Sequence, residues 1–298
     1  MKTRFAAPLA LAIVAGAWAG HLAAQVPEAR LFPGGAVDPD ESKIIEAIDN
    51  LRESGALLDV PAVIGQLERK TCQLVLLPAA DRKLAGREIW QVAKRSHLRL
   101  GWYRLCTTCD QWHLKLGGGY VISADGAVAT CEHLIRPEDD TTREGYLLAA
   151  DDDGRVYPVT EVLASNRRAD VAIVRVKAEG LTPLALNTAI APGDSVWCYS
   201  EPLGQRGYFS QGIVNRFFHR GRQRFADGPV VISVSADWAP GSSGSAVLDE
   251  CGNAVGHVSR ISSFMEGGGE SLRGRGLYLV IREAASARDL LRLIQPTE

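Results

Sequence analysis

Pro240-Gly241-Ser242-Ser243-Gly244-Ser245-Ala246 sets a serine between glycines just ahead of the apolar run Ala246-Val247-Leu248. A nucleophilic serine needs neighbours that let the backbone turn tightly, so that its own N–H and a nearby glycine N–H face one oxyanion. Gly241 and Gly244 meet that demand. Taken alone the stretch also fits a Gly/Ser turn between strands, so the flanking chain decides. From residue 98 onward that chain is a series of short apolar or alternating runs cut by Gly, Asp, Asn and Pro: 98–105, 113–123, 128–131, 145–150, 171–176, 195–200, 207–217, 230–234, 243–248, 254–261 and 276–281. Many brief strands at regular spacing predict an all-β sandwich or barrel, not a βαβ fold. A helical run over 283–294 closes the chain.

Serine is a poor nucleophile near neutral pH; a base must take its proton, and a carboxylate must hold that base in the useful tautomer and stabilise it when charged. His133 closes Ala127-Val128-Ala129-Thr130-Cys131-Glu132-His133, which reads as a strand entering a short helix or turn. Asp170 opens Asp170-Val171-Ala172-Ile173-Val174-Arg175-Val176, an acid at the mouth of an apolar strand.

With these residues in place the chain resembles the trypsin-like (chymotrypsin-fold) serine proteases, most of all their bacterial Deg, or high-temperature-requirement, branch. The order His, Asp, Ser is that fold's order. Gly117-Gly118-Gly119-Tyr120-Val121-Ile122-Ser123-Ala124-Asp125-Gly126 is similar to the branch's glycine-rich strand and turn before the histidine, and Pro192-Gly193-Asp194-Ser195-Val196 to the opening of its second barrel. Gln211-Gly212-Ile213-Val214 ends a stretch similar to its next loop and strand. The resemblance covers roughly residues 98–282. It implies two six-stranded antiparallel β-barrels, the first over about 98–183 with His133 and Asp170, the second over about 184–282 with Ser243. It also implies backbone oxyanion donors at Gly241 and Ser243, protein or peptide substrates, and no metal or organic cofactor. Ser242 stands where the family usually has Asn or Asp, and Ser245 where it has Gly; neither change removes a catalytic atom. The branch's PDZ domain is not expected here, so properties tied to it are not carried over.

The resemblance also marks a primary pocket. Asp237 lies six positions before Ser243, where trypsin-type members place an acid, which would favour Lys or Arg at the cleavage site because a buried carboxylate needs a cationic partner. Ser259 and Ile261, in Val258-Ser259-Arg260-Ile261, match the pocket wall, and the bulk of Ile261 would shorten it. Related eukaryotic proteases join positions similar to Cys198 and Cys251 by a disulfide, so that bond is expected.

Lys2 and Arg4 followed by the apolar run 5–18 have the layout of a secretory signal peptide, cut after Ala19 or, preferably, Ala24. The run is shorter than the ~20 residues of a membrane span, so no membrane insertion is expected after cleavage. Export makes disulfides the first expectation for the six cysteines. Cys106-x-x-Cys109-x-x-x-His113 has a spacing suited to zinc if a fourth ligand came from elsewhere, but in an exported protein a local or cross-strand disulfide takes precedence. His97, His219 and His257 read as surface or packing residues. A formal net charge of −2 offers no field to draw the protein toward nucleic acid or anionic lipid.

Residues 25–97 read as a helical N-terminal extension. Asp40 or Ser42 caps a segment bearing Ile44, Ile45, Ile48 and Leu51; Val60, Val63, Ile64 and Leu67 mark a second, and Ile89 and Val92 a third. The segmentation is thus 1–24 signal peptide, 25–97 extension and 98–298 peptidase domain. Two rival readings remain: a catalytically silent peptide-binding module on the same fold, and a protease blocked until residues before 98 are trimmed.

Overall fold

A computed structural model describes residues 40–137, 142–178, 180–219, 228–265 and 277–295; the signal-like stretch lies outside them. In chain order the elements are α1 (Glu41–Glu53), β1 (Leu58–Asp59), α2 (Val60–Gln66), β2 (Cys72–Gln73), α3 (Gly86–Ser96), β3 (His97–Cys106), β4 (Trp112–Val121), β5 (Ala127–Thr130), α4 (Glu132–Ile135), β6 (Thr142–Ala150), β7 (Val156–Asn166) and β8 (Val171–Val176). There follow β9 (Ser195–Ser200), β10 (Tyr208–His219), β11 (Val230–Val234), β12 (Ala246–Leu248), β13 (Ala254–Met265), β14 (Leu277–Ser286), α5 (Ala287–Leu291) and β15 (Ile294–Gln295).

Strands β3 to β8 form one six-stranded antiparallel ring, because β7 pairs with both β8 and β6; β9 to β14 close a second in the order β10-β11-β14-β13-β12-β9. Closure removes the unpaired edges that an open sheet would expose. It also explains why these strands read as continuous apolar runs rather than clean alternations. In β8, Ala172, Val174 and Val176 fill the first barrel while Val171 and Ile173 join a separate apolar cluster between the barrels. In β9, Val196 and Cys198 fill the second barrel while Trp197 and Tyr199 meet that same cluster. Each strand has two apolar faces because each separates two cores.

Polar contacts also cross between the barrels. Tyr199 of β9 donates to Asp152 Oδ2 at 2.5 Å, and within the first barrel His97 Nδ1 lies 3.3 Å from Asp152 Oδ1. The buried Arg99 of β3 sets its Nε 3.1 Å from Glu201 Oε2, just beyond β9.

The extension is built into the fold. Asp40 caps α1, its Oδ1 accepting from Ser42 N at 3.1 Å, and Ile44 and Ile48 pack on Tyr103 and Leu148. Asp59 caps α2 by accepting from Ala62 N at 2.9 Å. In α3, Ile89 and Ala93 enter the cluster between the barrels. Strand β1 adds to β6, and β2 pairs in parallel with β15.

Two sequence expectations change. The reading has no strand over 156–166; there Pro158 sits opposite Leu148 near the start of β7, and the rest of the strand completes the ring. The closing helix is shorter than 283–294: Glu283 to Ser286 continue β14, paired with β11 and β13, and only Ala287–Leu291 is helical, capped by the Ser286 hydroxyl.

Candidate active site

His133 and Asp170 sit at the rim of the first barrel. Strand β5 runs through Cys131 into the four-residue α4, which lifts His133 out of the barrel with its side chain 47% exposed. Asp170 ends the turn between β7 and β8 at φ +59°, a left-handed conformation that aspartate tolerates better than most residues. The Asn166 side chain tightens that turn by accepting from Ala169 N at 3.1 Å.

The Asp170 carboxylate then accepts several donors. His133 Nδ1 lies 2.9 and 3.0 Å from its two oxygens, and the His133 amide donates at 3.1 Å. The Ser259 hydroxyl donates to Oδ2 at 2.5 Å from the second barrel. Burial by itself would raise this acid; the hydrogen bond and charge of His133, then Ser259, outweigh it and hold the group at about 2. A carboxylate ionised at neutral pH can only accept, so the Nδ1 of a neutral His133 carries the proton and Nε2 is left as a free base.

Ser243 is placed by main chain. Ser242 N donates to Ala239 O at 3.0 Å, closing a turn with Pro240 second and Gly241 third at φ +103°, the residue pattern of a type II turn. Leu203 N donates to Pro240 O at 2.7 Å. Carbonyl and N–H point opposite ways across a trans peptide, so this bond turns the Gly241 N–H away from Leu203. The Ser243 carbonyl accepts from Gly118 N at 2.6 Å, and Gly244 N donates to Val258 O at 2.7 Å.

Glycine is needed where these backbones meet. A Cβ on Gly244, at φ +84°, would fall 2.1 Å from Gly118 O, and one on Gly118 would fall 2.1 Å from Ser245 Oγ. The bare backbone at 118 is what leaves room for a serine at 245.

Ser243, Gly241 and His133 line one cleft of about 410 Å³ between the barrels, with Trp102, Lys115 and Leu116 on its wall. A second cavity of about 530 Å³ opens on the other side of His133, beside Asp170, Ser259, Arg167 and Arg260. The structure therefore brings His133, Asp170, Ser243, Gly241 and Ser259 together. Ser259, expected as pocket wall, gives its hydroxyl to Asp170; no spacing along the chain signals this, because the contact joins β13 to the β7–β8 turn. His257, expected as a packing residue, is fully buried and donates from Nε2 to the Asp170 carbonyl at 3.0 Å. Desolvation lowers its pKa.

Asp237 does not sit as expected. Its side chain is 58% exposed and paired with Arg282 at 2.7 Å, so the buried carboxylate awaiting a cationic substrate is not there. Ile261 is half-buried against the interior of the second barrel, and neither residue lines the two cavities described. The expected Cys198–Cys251 disulfide is also corrected: both are free thiols. Cys198 lies inside the second barrel, where burial pushes it up to about 12, whereas Cys251 lies in the turn beyond β12, close to the charges of Asp249, Glu250 and Lys83.

Residues 117–256 match the family model described as trypsin-like peptidase domain. The chain is 28% identical over 156 residues to the serine endoprotease DegS of Haemophilus influenzae, covering 50% of this chain and 42% of that one. It is 29% identical over 158 residues to a probable periplasmic serine endoprotease, DegP-like, of Ectopseudomonas mendocina, covering 52% and 31%. The chain thus spans less than half the length of these relatives. Among solved structures, an HtrA-type protease, AlgW, with a decapeptide superposes with a TM-score of 0.53 at 19% identity, covering 70% of this chain and 66% of that one. That likeness carries the fold: two six-stranded barrels of the chymotrypsin type.

Proposed function

We propose that this trypsin-like peptidase, a homologue of the Deg and HtrA serine proteases, is an exported endopeptidase that cuts protein or peptide chains through an acyl-enzyme on Ser243. His133 takes the Ser243 proton through Nε2 as the hydroxyl attacks the peptide carbonyl, then gives it to the departing amine. Asp170 orients the ring and stabilises it when charged. The N–H groups of Gly241 and Ser243 receive the oxyanion, an effect worth roughly 2.7–4 kcal/mol per donor in known cases.

One observation carries the reading: a histidine whose Nδ1 is held by an ionised carboxylate shares a cleft with a serine flanked by left-handed glycines. Export rests on the basic and apolar first residues and on a relative named as periplasmic. On this reading 1–24 leave as a signal peptide and 98–298 form the peptidase body. The extension contributes core residues, which argues against a removable inhibitor.

The test is labelling of the purified chain with a fluorophosphonate probe, which reacts with a serine activated by a working base and oxyanion site. Labelling that disappears in Ser243→Ala supports the enzyme. A folded wild-type chain that takes no label overturns it in favour of a silent peptide-binding module.

A further inference from the structure

The hairpin joining β3 to β4 carries a second cluster of reactive side chains, at the far end of the strands that line the cleft. Cys106 ends β3, Cys109 lies in the connecting loop and His113 is the second residue of β4. Their ligand atoms all lie within 4.8 Å of one another, and Cys109 Sγ is 3.0 Å from His113 Nε2. The loop backbone serves the first sulfur: the amides of Cys109 and Thr108 both donate to Cys106 Sγ, the latter at 3.4 Å. Asp110 then turns the chain back at φ +55°, its N–H donating to Cys106 O at 3.2 Å. The spacing suits zinc and export favours a disulfide; the structure leaves both cysteines as free thiols and brings the imidazole to the two sulfurs.

We propose that Cys106, Cys109 and His113 bind a thiophilic divalent cation of the zinc class, with the fourth position open to water. Zinc bonds of about 2.3 Å to sulfur and 2.0–2.1 Å to nitrogen require ligand atoms roughly 3.5–3.8 Å apart in a tetrahedron. Rotation of the exposed Cys109 and His113 side chains supplies that small adjustment. Two thiol protons leave to solvent as the cation enters, and two thiolates with a neutral imidazole cancel its charge. The site communicates with the cleft by strand geometry. Residues two apart share a face of a strand, so Cys106 lies on the face of Arg104 and His113 on that of Lys115, and both Arg104 and Lys115 line the cleft. A bound cation clamps the turn end of the hairpin that forms this wall.

The test is titration of the reduced, metal-free full chain with Co²⁺ alone. The expected result is one Co²⁺ per chain, with a sulfur-to-cobalt charge-transfer band and the intense visible bands of tetrahedral coordination, all lost on adding Zn²⁺. Cys109→Ser and His113→Ala lose these bands, while Cys251→Ser keeps them; circular dichroism checks that each variant is folded. Wild type without the bands, or a spectrum unchanged by His113→Ala, overturns the proposal. So does non-reducing peptide mapping of the exported protein that finds Cys106 joined to Cys109.

Discussion

Asp170 and His133 meet through side chains, with donors from two barrels converging on one carboxylate, whereas Ser243 is set by main chain, between a carbonyl held by Gly118 and an amide held by Val258. The difference teaches where each half is vulnerable. A side-chain network loses one donor at a time and keeps the rest. A backbone cradle has no spare member, because a single added methyl at Gly118 or Gly244 meets atoms that cannot swing aside.

The largest expected effect tests the side-chain half at its centre. Asp170→Asn leaves the fold intact but offers His133 the wrong partner, and turnover of a reporter ester should fall about 10⁴-fold, as when other triad aspartates become amides. A loss below tenfold would mean that Asp170 does not set the tautomer. Next comes the backbone half. Gly244→Ala combines a left-handed residue with an overlap on Gly118 O and should cost about 2–5 kcal/mol of stability, read as a lower denaturant midpoint together with loss of labelling. A variant as stable as wild type would show that the cradle relaxes, and the contrast would fail.

Ser259→Ala sharpens the comparison from the other side. Removing one donor to a charged group costs about 1.5–3 kcal/mol, so turnover should fall roughly ten- to a hundredfold while the Asp170 carboxyl moves up from about 2. The smallest effect is at His257, whose pKa is lowered by burial. A histidine depressed in the folded state gives its full stability above the unfolded value of about 6.5 and loses it as pH falls below that. Wild type should therefore lose unfolding free energy relative to His257→Gln by up to about 1.4 kcal/mol per pH unit below 6.5. Parallel curves between pH 7 and 5 would refute this.

Much of this molecule was legible in its residues because the signals were local. Glycines flanking Ser243, an acid opening an apolar strand and a histidine closing one are each readable within seven residues, and their order named the fold. What escaped was set by contacts between distant segments. Strand β7 was missed because it is set by pairing with β6 and β8 and not by a pattern local to 156–166. Glu283–Ser286 looked helical by period but lies between two partner strands. Ser259 also gives its hydroxyl to Asp170 in the β7–β8 turn, and Asp237 pairs with Arg282 of β14, contacts between segments far apart in the chain.

Strand β14 lies between β11 and β13 and is the last member of the second barrel to be made. All three residues assigned to the chemistry precede it. A chain still being synthesised, or cut short before residue 277, therefore carries every reacting group but no closed ring to hold them. In time rather than in space, closure of the second ring waits for β14, well after Ser243 has been made.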